Sequence, residues 1–170
     1  RAASVFGFHL CTLDMRQHSG VHERVVAELF ARGANRADYA AQPESGKRVW
    51  LLAELALPRP LRSPHIEYSE GTAGELALFD AAASIQRRYG TQALPNYIIS
   101  KADAVSDVLE VALLAKEAGL LHPGAGPRLA LDIIPLFETI ADLRGAGAIM
   151  DELLGLPEYR RLLASRGDTQ

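Results

Sequence analysis

Short apolar runs alternate along the chain with longer stretches in which apolar residues recur every three or four positions. The first pattern predicts β-strands and the second predicts amphipathic helices. Three strands are predicted, at residues 5–15, 96–101 and 129–135. The first run is mostly apolar and β-prone, as expected of a strand buried on both faces. A helix is predicted after each strand, over residues 21–33, 105–118 and 140–154. Strands and helices that alternate in this way favour a parallel α/β sheet.

A helical excursion separates the first two predicted strands. It contains a short helical turn within residues 35–42 and helices over residues 47–57 and 72–89. The helix at 47–57 is centred on four apolar residues, Val49, Trp50, Leu52 and Ala53. Residues 58–64 hold three prolines and are expected to be irregular. A last helix is predicted to begin at Pro157 and to end near residue 165.

Helix ends carry their own signals. A threonine three positions before an acidic residue predicts a helix start at Thr72 with Glu75 and again at Thr139 with Asp142. Asp107, beside Ser106 and three residues before Glu110, also resembles a helix start. Glycine is predicted to end three helices, at Gly33, Gly90 and Gly119.

Two charged residues follow predicted strands directly. Arg16 lies in a polar cluster after the first strand, and Glu138 follows the third strand, which ends at Pro135. In parallel α/β sheets, chemistry sits at the carboxyl ends of the strands. A guanidinium there suits a phosphate or carboxylate, and a carboxylate there suits Mg²⁺ or Mn²⁺. Asp14 is a candidate for orienting Arg16.

Each of these residues also has a structural interpretation. Arg16 is equally suited to an ion pair with a neighbouring loop. Glu138 precedes a predicted helix, and on position alone a favourable interaction with the helix macrodipole explains it better than a metal does. Asp14 is equally suited to partner some other buried cation.

The histidines and the single cysteine give weaker signals. The five histidines (His9, His18, His22, His65 and His122) form no metal-binding pattern. His18 and His22 are four residues apart but straddle Gly20, which favours a solvated loop. Cys11 lies within the first predicted strand, and an inert core residue is expected there.

Composition excludes several classes of function. Of the 170 residues, 48% are hydrophobic and 23% charged, and the formal net charge is −3. No Lys/Arg stripe marks a nucleic-acid partner, and no apolar run reaches the roughly 20 residues that span a bilayer. A lone cysteine and the absence of a signal-peptide pattern fit a reducing compartment.

The chain starts at Arg1 and holds too few strands for a closed barrel, so we expect a processed or cut piece of a larger α/β enzyme that handles an anion.

Several long blocks resemble the phosphoenolpyruvate carboxylase family nearly from end to end. The blocks are FGFHLCTLDMRQHS (residues 6–19), VHERVVAELFARG (21–33), LLAEL (51–55), PRPL (58–61), YIISKADAVSDVLEVALLAKEAGL (97–120) and PLFETIADLRGAGAIMDELLGLPEYR (135–160). The resemblance implies a helix-rich α/β fold: residues 1–170 would be part of a TIM barrel, with about three parallel strands and long helical insertions, and no separate second domain. Bacterial members are cytoplasmic homotetramers that use Mg²⁺ or Mn²⁺ and convert phosphoenolpyruvate and bicarbonate to oxaloacetate and phosphate.

The resemblance assigns roles to two residues. Glu138, in the PLFET block, matches the metal-binding glutamate of the family. Arg16, in the LDxRQ block, matches a catalytic and substrate-binding arginine. The chemistry suits both, because the metal stabilises the enolate of pyruvate and the arginine neutralises charge on the phosphoryl group.

Other family motifs do not occur in this chain. The resemblance implies that the TAHPTE-like motif with the catalytic histidine lies upstream, so none of the histidines here inherits that role. The GYSDS-like motif with a second metal-binding carboxylate and the glycine-rich GRGGS-like loop would lie downstream. We therefore expect the chain alone to be inactive and to need the remainder of the enzyme. The alternative is a non-catalytic module, derived from the enzyme, that binds an anion or a partner.

Overall fold

A computed structural model describes residues 11–167 of the chain. Within that range the strands are β1 (Asp14–His18), β2 (Asn96–Ser100), β3 (Leu121–His122), β4 (Arg128–Leu129) and β5 (Asp132–Pro135). The α-helices are α1 (Ser19–Gly33), α2 (Glu44–Leu55), α3 (Glu70–Tyr89), α4 (Val105–Glu117), α5 (Ile140–Gly155) and α6 (Pro157–Ala164). Short 3₁₀ turns cover Tyr39–Ala41 and Thr91–Ala93. In the described part, no helix is both long and apolar enough to cross a membrane.

Three strands form one parallel sheet in the order β1-β2-β5. Arg16 of β1 is in register with Ile98 of β2, which is in register with Ile134 of β5. The parallel arrangement and the helix-rich α/β class predicted from the sequence are confirmed. The strands β3 and β4 form a separate antiparallel pair.

The bounds of the first strand were predicted incorrectly. Of the predicted run, residues 5–10 lie outside the described residues, and the strand itself begins only at Asp14. Arg16 is therefore inside β1 rather than after it. The strand also lies at an edge of the described sheet, where its residues alternate between exposed and half-buried, so it is not buried on both faces. Cys11 precedes the strand and is exposed, which corrects the prediction of a core cysteine.

The third predicted strand is in fact two short segments. Leu129 pairs with Leu121 in the antiparallel pair, whereas Ile133 pairs with Tyr97 in the parallel sheet. Leu131, between them, is completely buried. The run is apolar apart from Asp132, the first residue of β5, because two buried segments adjoin.

The core is built around α4, in which every residue from Val105 to Glu117 is buried. It packs against α1, α2, α3 and β5. The predicted apolar stripe of this helix is confirmed, but burial extends around the whole helix. In α2, Trp50 and Leu52 of the four predicted apolar residues pack against the core. Val49 is 65% exposed, and Leu51, which is outside that set, is completely buried.

Helix ends were predicted with mixed success. Gly90 and Gly119 follow α3 and α4 with φ angles of 89° and 75°, as expected of glycine stops. The first helix ends at Gly33, as predicted. Gly33 is also a site of close approach, because a Cβ there would collide with the carbonyl oxygen of Leu61. The start of α3 was misplaced: Ser69 caps it by accepting a hydrogen bond from the backbone of Thr72.

Candidate functional site

Arg16 and Glu138, which are 122 residues apart in sequence, meet at the carboxyl edge of the parallel sheet. The Nη2 atom of Arg16 lies 3.1 Å from Oε1 of Glu138. Arg16 projects from β1, and Glu138 lies in the loop between β5 and α5. The topology therefore brings together the two residues that the sequence singled out.

The turn after β2 contacts both of these side chains. Nε of Arg16 donates a hydrogen bond to Oγ of Ser100 at 2.8 Å. The backbone N–H of Lys101 donates to Oε2 of Glu138, also at 2.8 Å. Sequence reasoning missed Ser100 and Lys101. The available signal was their position, since they end the second strand at the same sheet edge.

The site is open to solvent. The side chains of Arg16 and Glu138 are 58% and 40% exposed. An ion pair at such exposure stabilises a protein by only about 0–1 kcal/mol, because water screens both charges. Either group can therefore exchange its partner for a ligand at little cost in stability.

The structural interpretation of Glu138 is weakened by its neighbours. Thr139 is the N-cap of α5, and Asp142 completes the predicted capping box. Asp142 Oδ2 accepts from the backbone of Thr139, and this hydrogen bond lowers the pKa of Asp142. Asp142 thus supplies the carboxylate at this helix start, and Glu138 contacts the sheet edge instead.

The neighbouring polar residues have different partners from those expected. Asp14 accepts a hydrogen bond from the side chain of Asn96 at 2.9 Å, at the amino end of the strands. Among the side-chain hydrogen bonds of the described residues, none joins Asp14 to Arg16. His18 caps α1, because its Nδ1 accepts from the backbone N–H of Gly20.

The position of His22 contradicts the prediction of a solvated loop. Gly20 lies within α1, and His22 is completely buried in that helix. Its Nε2 lies 2.8 Å from the hydroxyl of Tyr97, which donates to Glu75. Burial, followed by the charge of His18, lowers the pKa of His22 to about 4. His22 is therefore a neutral core residue.

Comparisons with known proteins identify the family of this chain. A family model described as phosphoenolpyruvate carboxylase matches residues 1–170. The chain belongs to the phosphoenolpyruvate carboxylase family. It is 55% identical over 171 residues to the phosphoenolpyruvate carboxylase of Nitrosomonas europaea, covering 100% of this chain and 18% of that protein. It is 56% identical over 168 residues to that of Aromatoleum aromaticum, covering 99% of this chain and 18% of that protein. The chain thus spans about 18% of the length of the curated relatives it matches.

The donor atoms of this carboxylase segment fit a divalent cation only in part. Glu138 offers carboxylate oxygens, which Mg²⁺ and Mn²⁺ prefer. Across residues 11–167, however, no group of three or more His, Cys, Asp or Glu side chains is arranged to hold a metal. Mg²⁺ is commonly bound by one or two carboxylates together with substrate oxygens and waters. Glu138 therefore fits the role of one ligand in a set that this segment does not complete.

Proposed function

We propose that this segment supplies Arg16 and Glu138 to the active site of a phosphoenolpyruvate carboxylase. The reaction converts phosphoenolpyruvate and bicarbonate to oxaloacetate and phosphate. The observation that carries the proposal is the meeting of these two side chains at the carboxyl edge of a parallel sheet, 3.1 Å apart and open to solvent. Parallel α/β folds place their chemistry at that edge.

Each residue has a distinct role in the proposal. The guanidinium of Arg16 is the catalytic and substrate-binding group, and it neutralises charge on the phosphoryl group through paired N–H donors. Glu138 is one ligand of Mg²⁺ or Mn²⁺. When bound, the cation supplies positive charge beside the developing negative charge of the substrate. No histidine of this segment takes part in the reaction.

The rest of the enzyme chain is the first partner in this proposal. The described sheet has three parallel strands, with β1 and β5 at its edges. Ile140 and Leu143 of α5 are 71% and 61% exposed, which leaves apolar surface for further chain to cover. The family resemblance adds the proposal that residues 1–170 are part of a TIM barrel. The family resemblance alone supports two further parts of the proposal, that the full enzyme is a homotetramer and that it is cytoplasmic.

The direct test grafts this chain into the Nitrosomonas europaea relative, in place of the segment that it matches. The variants are Arg16→Gln and Glu138→Gln, and exposed Arg87→Gln and Glu67→Gln are matched controls. We expect Arg16→Gln to lower kcat/KM about 100-fold or more. We expect Glu138→Gln to weaken Mn²⁺ binding at least about tenfold. Oxaloacetate formation and Mn²⁺ titration are the measurements.

Three outcomes would count against parts of the proposal. If the site variants are as active as the Arg87 and Glu67 controls, the assignment of Arg16 and Glu138 to the active site is wrong. Oxaloacetate formation by the 170-residue chain alone would overturn the expectation that the segment is inactive without the remainder. A grafted enzyme that folds but has no activity, while the isolated chain binds phosphate, would favour the anion-binding module.

A further inference from the structure

The turn at Ser100 and Lys101 connects three parts of the sheet edge. Ser100 accepts from Nε of Arg16, and the N–H of Lys101 donates to Glu138. The carbonyl of Lys101 accepts from the hydroxyl of Ser19 at 2.7 Å, at the start of α1. The last residue of β2 and the residue after it therefore contact Arg16, Glu138 and the first helix.

Lys101 has an unusual backbone conformation for its type. Its φ is 53°, in the left-handed region that disfavours residues with a Cβ. Unfavourable backbone conformations persist only where surrounding contacts hold them, and they concentrate at functional sites. Here the contacts are the Ser19 hydrogen bond and the bond from the N–H of Ala102 to the carbonyl of Leu136 at 2.9 Å.

We propose that Ser100 and Lys101 form a positioning element, in which the Ser100 hydroxyl orients Arg16 and the backbone of Lys101 orients Glu138. This inference rests on the proposed function of those two residues. In this proposal, neither Ser100 nor Lys101 contacts the substrate. Residues of this kind change affinity by fixing the orientation of the groups that bind.

The bonding pattern of Arg16 explains what Ser100 contributes. Its Nε and Nη2 atoms form one edge of the guanidinium, and that edge donates to Ser100 and Glu138. Two bonds on one edge fix the plane of the group. The other edge, formed by Nη1 and Nη2, then has a defined direction and can donate to two oxygens of an anion.

The left-handed turn explains what Lys101 contributes. The positive φ of Lys101 turns the chain that follows its N–H away from the direction of the strand. The carbonyl of Lys101 then meets the hydroxyl of Ser19, while its N–H donates to Oε2 of Glu138. The identity of the Lys101 side chain matters less than the conformation. Glycine adopts that conformation freely, whereas a β-branched residue resists it.

The test uses the grafted enzyme, with KM for phosphoenolpyruvate and Mn²⁺ affinity in the absence of substrate as separate readouts. We expect Ser100→Ala to raise KM about tenfold or more with a smaller change in Mn²⁺ affinity. Ser100→Thr, which keeps the hydroxyl, should recover most of the loss, and Ser45→Ala is the exposed control. Lys101→Val should weaken Mn²⁺ binding more than Lys101→Gly does.

The outcomes separate this inference from the proposed function. If Ser100→Ala and Lys101→Val match the control while Arg16→Gln and Glu138→Gln lose function, the positioning element is rejected and the proposed function stands. If all four variants match the control, the proposed function fails as well. Equal losses for Ser100→Ala and Ser100→Thr, in enzymes with unchanged thermal unfolding, also overturn the role of the hydroxyl.

Discussion

The two faces of the parallel sheet differ in how they use polar residues. On the core face, Gln17 of β1 and Tyr97 of β2 bond to the buried carboxylate of Glu75. On the opposite face, Arg16 and Ser100 bond to each other in an open site. Both sets come from the same strands, because successive side chains point to opposite faces.

This difference separates polar groups that hold the fold from polar groups that can bind a ligand. A buried polar group must keep its partner, since losing it costs the full desolvation penalty. An exposed ion pair can exchange a partner for solvent or ligand. Substitutions on the core face should therefore change stability, and those on the open face should change function.

The largest expected contrast compares two adjacent isoleucines of β2. Ile99 is completely buried, whereas Ile98 lies half-buried on the open face. We expect Ile99→Ala to lower the free energy of unfolding by about 2–5 kcal/mol, because it removes packed methylenes and leaves a cavity. Ile98→Ala should cost less than half as much. Urea unfolding of the chain measures both, and equal costs would contradict the assignment of faces.

Acid should destabilise the core face through His22. Burial lowers its pKa from 6.5 to about 4, so the unfolded chain binds a proton in this pH range that the folded chain does not. The free energy of unfolding should therefore fall as the pH drops from about 6.5 to 4, by about 3 kcal/mol in total. His22→Gln should remove this contribution, and exposed His65→Gln should retain it. Identical pH profiles for the parent and His22→Gln would refute the prediction.

A single hydroxyl tests the buried network. Tyr97→Phe leaves both Glu75 and His22 without the hydroxyl that they share. We expect a loss of about 1–3 kcal/mol in the free energy of unfolding, because buried polar atoms lose their partner. Tyr89→Phe is the matched control, since Tyr89 is 47% exposed, and it should change stability by less than about 0.5 kcal/mol. Similar losses at both positions would count against the network.

The smallest expected effect on stability is at the open site. Arg16→Gln removes an exposed ion pair and should change the free energy of unfolding by no more than about 1 kcal/mol. The same substitution is expected to lower kcat/KM strongly in the grafted enzyme. A large loss of stability would instead favour the structural interpretation of Arg16. Urea unfolding and the kinetic assay, measured side by side, decide between them.

Local sequence patterns were sufficient to predict most of the elements. The Thr139 capping box and the ends of α3 and α4 at Gly90 and Gly119 are confirmed, because these signals act over only a few residues. The parallel orientation of the strands was predictable from the alternation of strands and helices, whereas their order in the sheet was not predicted. The break between β4 and β5 was missed, since the two segments adjoin in one run that is apolar apart from Asp132.

The candidate site divides in the same way. The sequence by itself indicated that Glu138 follows a strand, and the family blocks identified Arg16 and Glu138 as the pair to consider. Only the tertiary structure decided that they meet and that Asp14 bonds to Asn96. It also decided that Ser100 contacts Arg16 and that Lys101 contacts Glu138. Contacts between residues more than 30 positions apart depend on how strands pair and where turns reverse. No local pattern carries that information.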